Sequence, residues 1–341
     1  MIRISNIKIA ARKEQIPALE QEIRRMLHLK PQSELGYQIV KKSVDARKKE
    51  AIFCIYTVEV KGLRDEVKLV QRCKKDNITI AKQEQYTAPM AGDAVLAQRP
   101  VVIGAGPAGL FAALLLAEQG YCPLLLERGK DVDSRTADVE AFWQTGVLNP
   151  KSNVQFGEGG AGTFSDGKLN SVIKDIRCRK VLETFVRFGA PEEILYQAKP
   201  HIGTDRLKQV VKGMRQAIEQ AGGEVRFESQ VTGLQLQQGR LTGVEINGTE
   251  QIAANAAVLA IGHSARDTFA SLHAQQIAME QKAFAIGVRV EHEQSKINLA
   301  QYGMEDPYAC LGAADYKLTY QASNGRAVYS FCMCPGGTVV A

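Results

Sequence analysis

Gly104, Gly106 and Gly109, in the stretch VVIGAGPAGLFAALLLAEQG, have the spacing that receives a pyrophosphate. They follow an apolar run, Val101 to Ile103, that reads as a buried strand, and they precede an Ala/Leu-rich run that reads as a helix. In that setting the first glycine permits a tight turn, the second lets a diphosphate reach the backbone, and the third lets helix and strand pack closely. The helix start, with Ala105, Pro107 and Ala108 around it, offers free N–H groups and a partial positive charge. A second apolar run, Pro123 to Leu126, ends at Glu127, 23 positions after Gly104, where a carboxylate can accept hydrogen bonds from ribose hydroxyls. Glu127 repels a ribose 2′-phosphate, while Arg128 beside it keeps that ligand open. On these residues FAD and NAD(P) both stand. The competing reading is a glycine turn without a ligand, and the strand-turn-helix context argues against it.

Four further places carry reactive or anion-binding side chains. FGEGGAGTFSDGKL, residues 156 to 169, puts Gly160, Ala161, Gly162 and Thr163 next to Asp166 and Lys168; successive unhindered backbone N–H groups make an anion nest, and a plain surface turn is the alternative. ANAAVLAIGHSARD, residues 254 to 267, is an apolar strand that stops at Gly262 and His263. A histidine there could do acid–base work or be structural. AFAIGVRVEHEQ, residues 283 to 294, reads as a strand with Arg289 and Glu291 on one face and His292 on the other. Arg289 could clamp a carboxylate substrate or the cofactor, or be an ion-paired strand residue. Cys332 and Cys334 form C-x-C; on a strand they share a face at about 6.5 Å, near the upper Cα separation a disulfide tolerates. They read as a redox relay or as two reduced thiols. No His/Cys cluster has metal spacing, so no metal is expected.

These residues need positioning elements, and the chain is long enough for two or three domains with their own cores. Its start, MIRISNIKIAARK, lacks the apolar core of a signal peptide, and its longest apolar segment is far below the roughly 20 residues of a membrane span. Seven cysteines, an odd number, make no disulfide framework, and the expected compartment is the cytoplasm. Residues 1–95 hold 19 Lys/Arg against 12 Asp/Glu, and the rest 24 against 25, so the excess positive charge lies in a front module. There the pattern is strand, helix, two strands, helix, strand: the ferredoxin-like split arrangement over residues 1–85. Its basic run KKSVDARKKE, residues 41–50, reads as an edge strand guarded by lysines, with a nucleic-acid patch as the less favoured reading. AIFCIYTVEV lacks the aromatic consensus of an RNA-binding version of this layout. Residues 86–99, with Pro89 and Gly92, read as a linker. TDRLKQVVKGMRQAIEQA, 204–221, reads as a helix started by Thr204 or Asp205 and closed by Gly222 and Gly223. A β-meander follows, with a hairpin turn at Asn247-Gly248.

Taken together, GAGPAGL, LLLERG, GEGGAGTFSDGKL, VRFESQVTGL, ANAAVLAIGHSARD and SFCMCPGG resemble the FAD-binding fold of the glutathione-reductase-like superfamily. More closely they resemble a bacterial family of FAD-dependent oxidoreductases, or dehydrogenases, with an N-terminal accessory domain. The resemblance implies an α/β fold: a Rossmann-like, glutathione-reductase-type FAD-binding domain with a β-meander over 100–276, after a small α+β ferredoxin-like domain, and before the start of a substrate domain at 277–341. It implies that Gly104 to Gly109 hold the FAD pyrophosphate and Glu127 the adenosine ribose. It also implies that Gly160 to Thr163 line the cofactor, that Val231 meets adenine through its backbone, and that Gly262 approaches the dinucleotide. Flavoproteins of this class return at the C-terminus with a Gly-Asp pair, which SFCMCPGGTVVA lacks. The expectation is therefore a truncated chain that binds FAD weakly or folds incompletely.

The expected function is an FAD-dependent oxidoreductase passing hydride or electrons through flavin to an unknown small molecule, with NAD(P)H as a possible reductant. The rivals are an RNA- or tRNA-associated flavoprotein using the basic front module, and a non-catalytic FAD sensor.

Overall fold

The computed structural model describes residues 1–341 other than 83, 84, 91, 94, 165–168, 170–172, 174, 331, 332, 336, 338 and 341. The chain opens with β1 (Ile2–Ala10), which buries Ile2, Ile4, Ile7 and Ile9. Strict alternation would turn Ile7 and Ile9 outward. An irregularity between Ile4 and Ile7, with Asn6 at φ 57°, resets the parity and returns them to the core. Helix α1 (Gln15–Met26) lays Leu19, Ile23 and Met26 on the sheet. Then come β2 (Gly36–Asp45), β3 (Phe53–Lys61), α2 (Glu66–Cys73) and β4 (Ile78–Ile80). The strands pair antiparallel in the order β2-β3-β1-β4, which is the split βαββαβ layout.

A parallel sheet carries the next part of the chain. It is built from β5 (Val101–Ile103), β6 (Leu124–Leu126), β7 (Glu224–Arg226) and β11 (Ala257–Leu259), in the order β11-β5-β6-β7. Between these strands run α3 (Pro107–Glu118), α4 (Val132–Thr145), α5 (Ile176–Arg187) and α6 (Thr204–Gln220), and the antiparallel meander β8 (Val231–Gln237), β9 (Arg240–Ile246) and β10 (Glu250–Ala253). Both faces of the sheet are covered. Val102 and Leu125 point into a core with Leu110, Leu114, Val210 and Met214 of the helices. Their neighbours Val101, Ile103, Leu124 and Leu126 point the other way, onto Val231, Val244 and Ile246 of the meander. This is why the strands read as continuous apolar runs. Helix α6 matches the expected 204–221 helix at its end, where Gly222 has φ 85° and the Gly223 N–H donates to Ile218 O at 2.9 Å. At its start Gly203, not Thr204 or Asp205, occupies the cap position, and no side chain caps the helix. The Asn247-Gly248 turn is present, with φ 51° and 73°.

After α7 (Arg266–Ala274) the structure departs from expectation. Residues 283–293 form no strand. A strand needs a neighbour's N–H and C=O groups, and Phe284, Ile286 and Val288 are 85%, 91% and 90% exposed, so the described residues cover neither edge nor face. Helix α8 (Gln294–Tyr302) and a hairpin of β12 (Thr319–Gln321) and β13 (Ala327–Tyr329) follow. Tyr302, Leu311 and Ala314 are buried in the core of the front module, beside Cys54 and Tyr56. The front sheet thus shares a core with residues some 250 positions later. Among the described residues no helix is long and apolar enough to cross a membrane.

Candidate functional site

The turn after β5 is shaped by what its glycines touch. A Cβ on Gly104, at φ 102°, would lie 2.5 Å from Ala260 O, and one on Gly109 would overlap Gly104 O. Gly106 differs: a Cβ there would meet nothing within 4 Å, and the residue lines a cavity of about 480 Å³. Pro107 starts α3 at a position where a missing N–H costs nothing. Gly104, Gly106, Pro107 and Ala108 line the cavity. Ala105 and Gly109 are buried behind it and shape the turn.

Glu127 lines the same cavity yet is only 5% exposed. Its Oε2 accepts from the N–H of Ala105 at 2.7 Å, and its Oε1 accepts from Gly129 N–H at 2.9 Å and Gly157 N–H at 3.0 Å. One carboxylate therefore ties the first glycine loop to the second. The role expected for it was toward ribose; in the structure its hydrogen bonds go to backbone.

The second loop is held from below by a residue the sequence reading did not single out. Arg135, on α4, is fully buried. Its Nε donates to Asn153 O at 2.8 Å, one terminal nitrogen to Glu158 O at 2.6 Å and Gly157 O at 3.4 Å, and the other to Val154 O at 2.8 Å. Burial pulls its pKa down to about 10, opposed by the carboxylates of Glu127 and Glu158, so it stays charged at neutral pH. The Glu158 side chain, also fully buried, accepts from Val132 N–H and from Arg215 Nε, both at 2.8 Å. Burial nevertheless pushes its carboxyl above the usual range, against those two partners. Nothing in a single sequence separates Arg135 from a solvent-facing helix arginine; the only signal was a glycine-rich loop whose carbonyls need donors.

Above this support Gly160 and Ala161 line the cavity, with Gln155, Phe156 and Gly157. Gly162 is half-buried, while Thr163 is fully buried under Gly159, its hydroxyl without a hydrogen-bond partner among the described residues. Asp166, Lys168 and Cys332 lie outside the described residues. Across the cavity stand Val231 at the start of β8, and Gly262 and His263 after β11. His263 is exposed at the rim; Ser264 Oγ lies 3.3 Å from its Nδ1 and donates to Gln155 Oε1 at 2.9 Å. Arg128 bridges the walls. Its guanidinium donates to both Asp267 oxygens at 3.1 and 2.9 Å and to Thr268 Oγ1 at 2.9 Å, and it sits 4.3 Å from the Phe156 ring centroid.

Arg289 and Cys334 do not join this cavity. Arg289 donates to Val340 O at 2.9 Å, and Glu291 accepts from Val339 N–H at 2.5 Å, so both reach one backbone stretch although no strand forms. His292 Nε2 lies 2.9 Å from Tyr316 Oη. Cys334 is half-buried.

Comparison with known proteins adds three family matches. Residues 102–150 match the NAD(P)-binding Rossmann-like domain. The fold is α/β with a Rossmann-like dinucleotide-binding unit. Residues 283–341 match the C-terminal domain of FAD-dependent proteins, in agreement with the FAD expectation, and residues 1–61 match a domain of unknown function. An uncharacterized protein of Clostridium beijerinckii is 48% identical over the whole chain, which spans 63% of that protein's length. A digeranylgeranylglycerophospholipid reductase of Methanocella arvoryzae is 24% identical over 42% of this chain and 33% of its own. Among solved structures, THI4 of Thermovibrio ammonificans is similar at 17% identity over 52% of this chain and 61% of its own, with a TM-score of 0.35.

Proposed function

We propose that the cavity between the two glycine loops seats FAD and that the chain is the cofactor-binding part of an FAD-dependent oxidoreductase. The observation that carries this reading is Gly106. It is the one glycine of the turn with open space at its Cβ position, and it lines the cavity. A diphosphate reaching the backbone needs this gap, whereas Gly104 and Gly109 serve internal packing.

Bound FAD supplies hydride or single-electron chemistry at its isoalloxazine ring. The residues of the chain bind and orient it. The start of α3 offers N–H groups to the pyrophosphate, and Gly160 and Ala161 offer a second wall. Val231 presents backbone to the adenine end. Arg135 and Glu127 keep both loops in place before the ligand arrives, so little ordering cost falls on binding. His263 stands exposed at the rim, beside Ser264. With NADH or NADPH as electron donor, a bound flavin would pass the two electrons on to a small-molecule acceptor, which would be reduced.

The basic run favours its edge-strand role. Arg47 donates to both Asp45 oxygens, at 2.7 and 2.6 Å, and Lys49 packs its alkyl chain near Gly303. The Lys42 backbone pairs with residues 196–198 of the Rossmann-like part, donating to Tyr196 O at 2.6 Å and accepting from Ala198 N–H at 2.9 Å.

The test is an absorption spectrum of the purified chain after FAD addition and desalting, followed by anaerobic titration with NADH and NADPH. Flavin bands that stay with the protein and bleach with one donor support the reading. Protein that remains colourless with FAD in excess overturns it.

A further inference from the structure

We propose that Cys54 and Cys310 form a site of reversible oxidation, a thiol pair that a hydroperoxide converts to a disulfide joining the front module to the segment after α8. The two residues lie 256 positions apart. Cys54, on β3, is buried in the core of the front module, and Cys310 packs against that core beside buried Leu311. Cys54 Sγ donates to Cys310 O at 3.8 Å. Cys310 Sγ donates to Ala11 O at 3.3 Å. The Ala11 N–H in turn donates to Ile52 O at 2.9 Å, at the end of the ladder in which Ile9 stands opposite Cys54. Separate contacts thus bring each cysteine to the other, and the two thiols are near enough to interact directly.

Access divides their roles. Cys54 is fully buried, whereas Cys310 is half-buried and meets the oxidant first. With hydrogen peroxide, the Cys310 sulfur takes one oxygen as the O–O bond breaks, a first water leaves, and a sulfenic acid remains. The Cys54 sulfur then attacks the Cys310 sulfur. The S–S bond forms, the S–O bond breaks, and the hydroxyl departs with the Cys54 proton as a second water. Two thiols have lost two electrons and two protons, and one peroxide has become two waters. Burial holds the Cys54 thiol above its ordinary range, with the Lys42 charge and the Tyr56 hydroxyl working the other way. Proximity offsets the small thiolate fraction, because the attack occurs within one molecule between groups already in place. Packing of Tyr302, Leu311 and Ala314 holds the segment to the front module while both thiols are reduced. The bond is therefore an added state of the fold, and it closes a long loop, where a cross-link restricts the unfolded chain most.

The experiment treats the folded, reduced full chain with hydrogen peroxide, raised until exposed Cys122 is oxidised. The chain is then unfolded in urea with iodoacetamide, and its peptides are mapped without reductant. The expected product is a cross-linked peptide pair containing Cys54 and Cys310 that dithiothreitol separates. The oxidised chain should also melt at a higher temperature than the reduced one. Cys310→Ser should abolish both the cross-link and the shift, and Cys122→Ser should change neither. Cys54→Ala should stop the reaction at the Cys310 sulfenic acid, read as a dimedone adduct. The wild-type peptide map decides the matter even where a variant folds poorly. Recovery of Cys54 and Cys310 as alkylated thiols beside oxidised Cys122 overturns the proposal. So does a cross-link that pairs either residue with a different cysteine, or sulfinic acid at Cys310 with Cys54 still free.

Discussion

Glu127 Oε1 accepts the backbone N–H of Gly157, 30 residues further along the chain, at 3.0 Å, while Oε2 of the same carboxylate accepts Ala105 N–H at 2.7 Å. The two glycine loops are thus fastened through one buried side chain that can only accept. Glu127→Gln replaces one oxygen by an NH2 group that must face an N–H donor. The expected result is a loss of about 2–4 kcal/mol, from an unsatisfied buried donor and a lost charge-assisted bond. Urea unfolding measures this, and FAD affinity should fall at least about tenfold alongside it.

Arg135 serves four carbonyls of the segment 153–158 from a fully buried position. Arg135→Met keeps the stem and removes the donor to the carbonyls of Asn153, Val154 and Glu158, while Gly157 O keeps the Gly160 N–H at 3.1 Å, so stability should drop by about 3–5 kcal/mol. Arg135→Lys should rescue little, since a point charge cannot reproduce the planar fork. A thermal melt of Arg135→Lys near that of wild type would contradict this account.

Two glycines of one turn should respond oppositely to substitution. Gly106 has φ −70° and free space at its Cβ position, so Gly106→Val should fold with little change in melting temperature while blocking cofactor approach. Gly109→Ala pushes its methyl into Gly104 O and should destabilise the fold itself. Melting curves with and without FAD separate the two effects: ligand-induced stabilisation should vanish in Gly106→Val.

Burial, with neighbouring Cys310 adding to it, pushes the thiol of Cys54 up to about 12. Because the thiolate is the reactive form, Cys54 should resist alkylation at pH 8 in the native protein and react only on unfolding. Exposed Cys122 should react promptly. Peptide mass mapping after a short pulse of iodoacetamide reads both.

Burial raises the Asp267 carboxyl, but its hydrogen bonds to Arg128 and Thr268 N–H outweigh this and leave it below its ordinary value of 3.8. A depressed carboxyl stabilises the fold above the unfolded value, and that contribution disappears as pH falls through the folded one. With Asp267 half exposed, it amounts to at most about 1 kcal/mol. Wild type should therefore exceed Asp267→Asn in melting temperature at pH 6, and the gap should close below about pH 4.

The local elements were legible because they rest on short-range rules. Gly104, Gly106 and Gly109 between an apolar triplet and an Ala/Leu run specify a strand-turn-helix, and Leu207 to Ile218 specify a helix through their spacing. The front βαββαβ order was readable from alternation, although the bulge at Asn6 that keeps Ile7 and Ile9 inside was not. The strand expected at 283–294 shows the limit. Apolar alternation describes a segment able to pair, and pairing requires a neighbour that the segment itself does not encode.

By itself, the sequence determined where the glycine turn lies and which carboxylate and arginine stand at the end of the next strand. Tertiary structure alone decided where those two side chains go: Glu127 to the backbone of both loops, Arg128 to Asp267 in the first turn of α7. It also decided that Arg135 is buried and that Tyr302, Leu311 and Ala314 complete the core of the front module. The reason is one of range. A turn or a helix stripe is fixed by residues a few positions apart. The partner of a buried charge is fixed by which distant segment packing brings within about 3 Å of it.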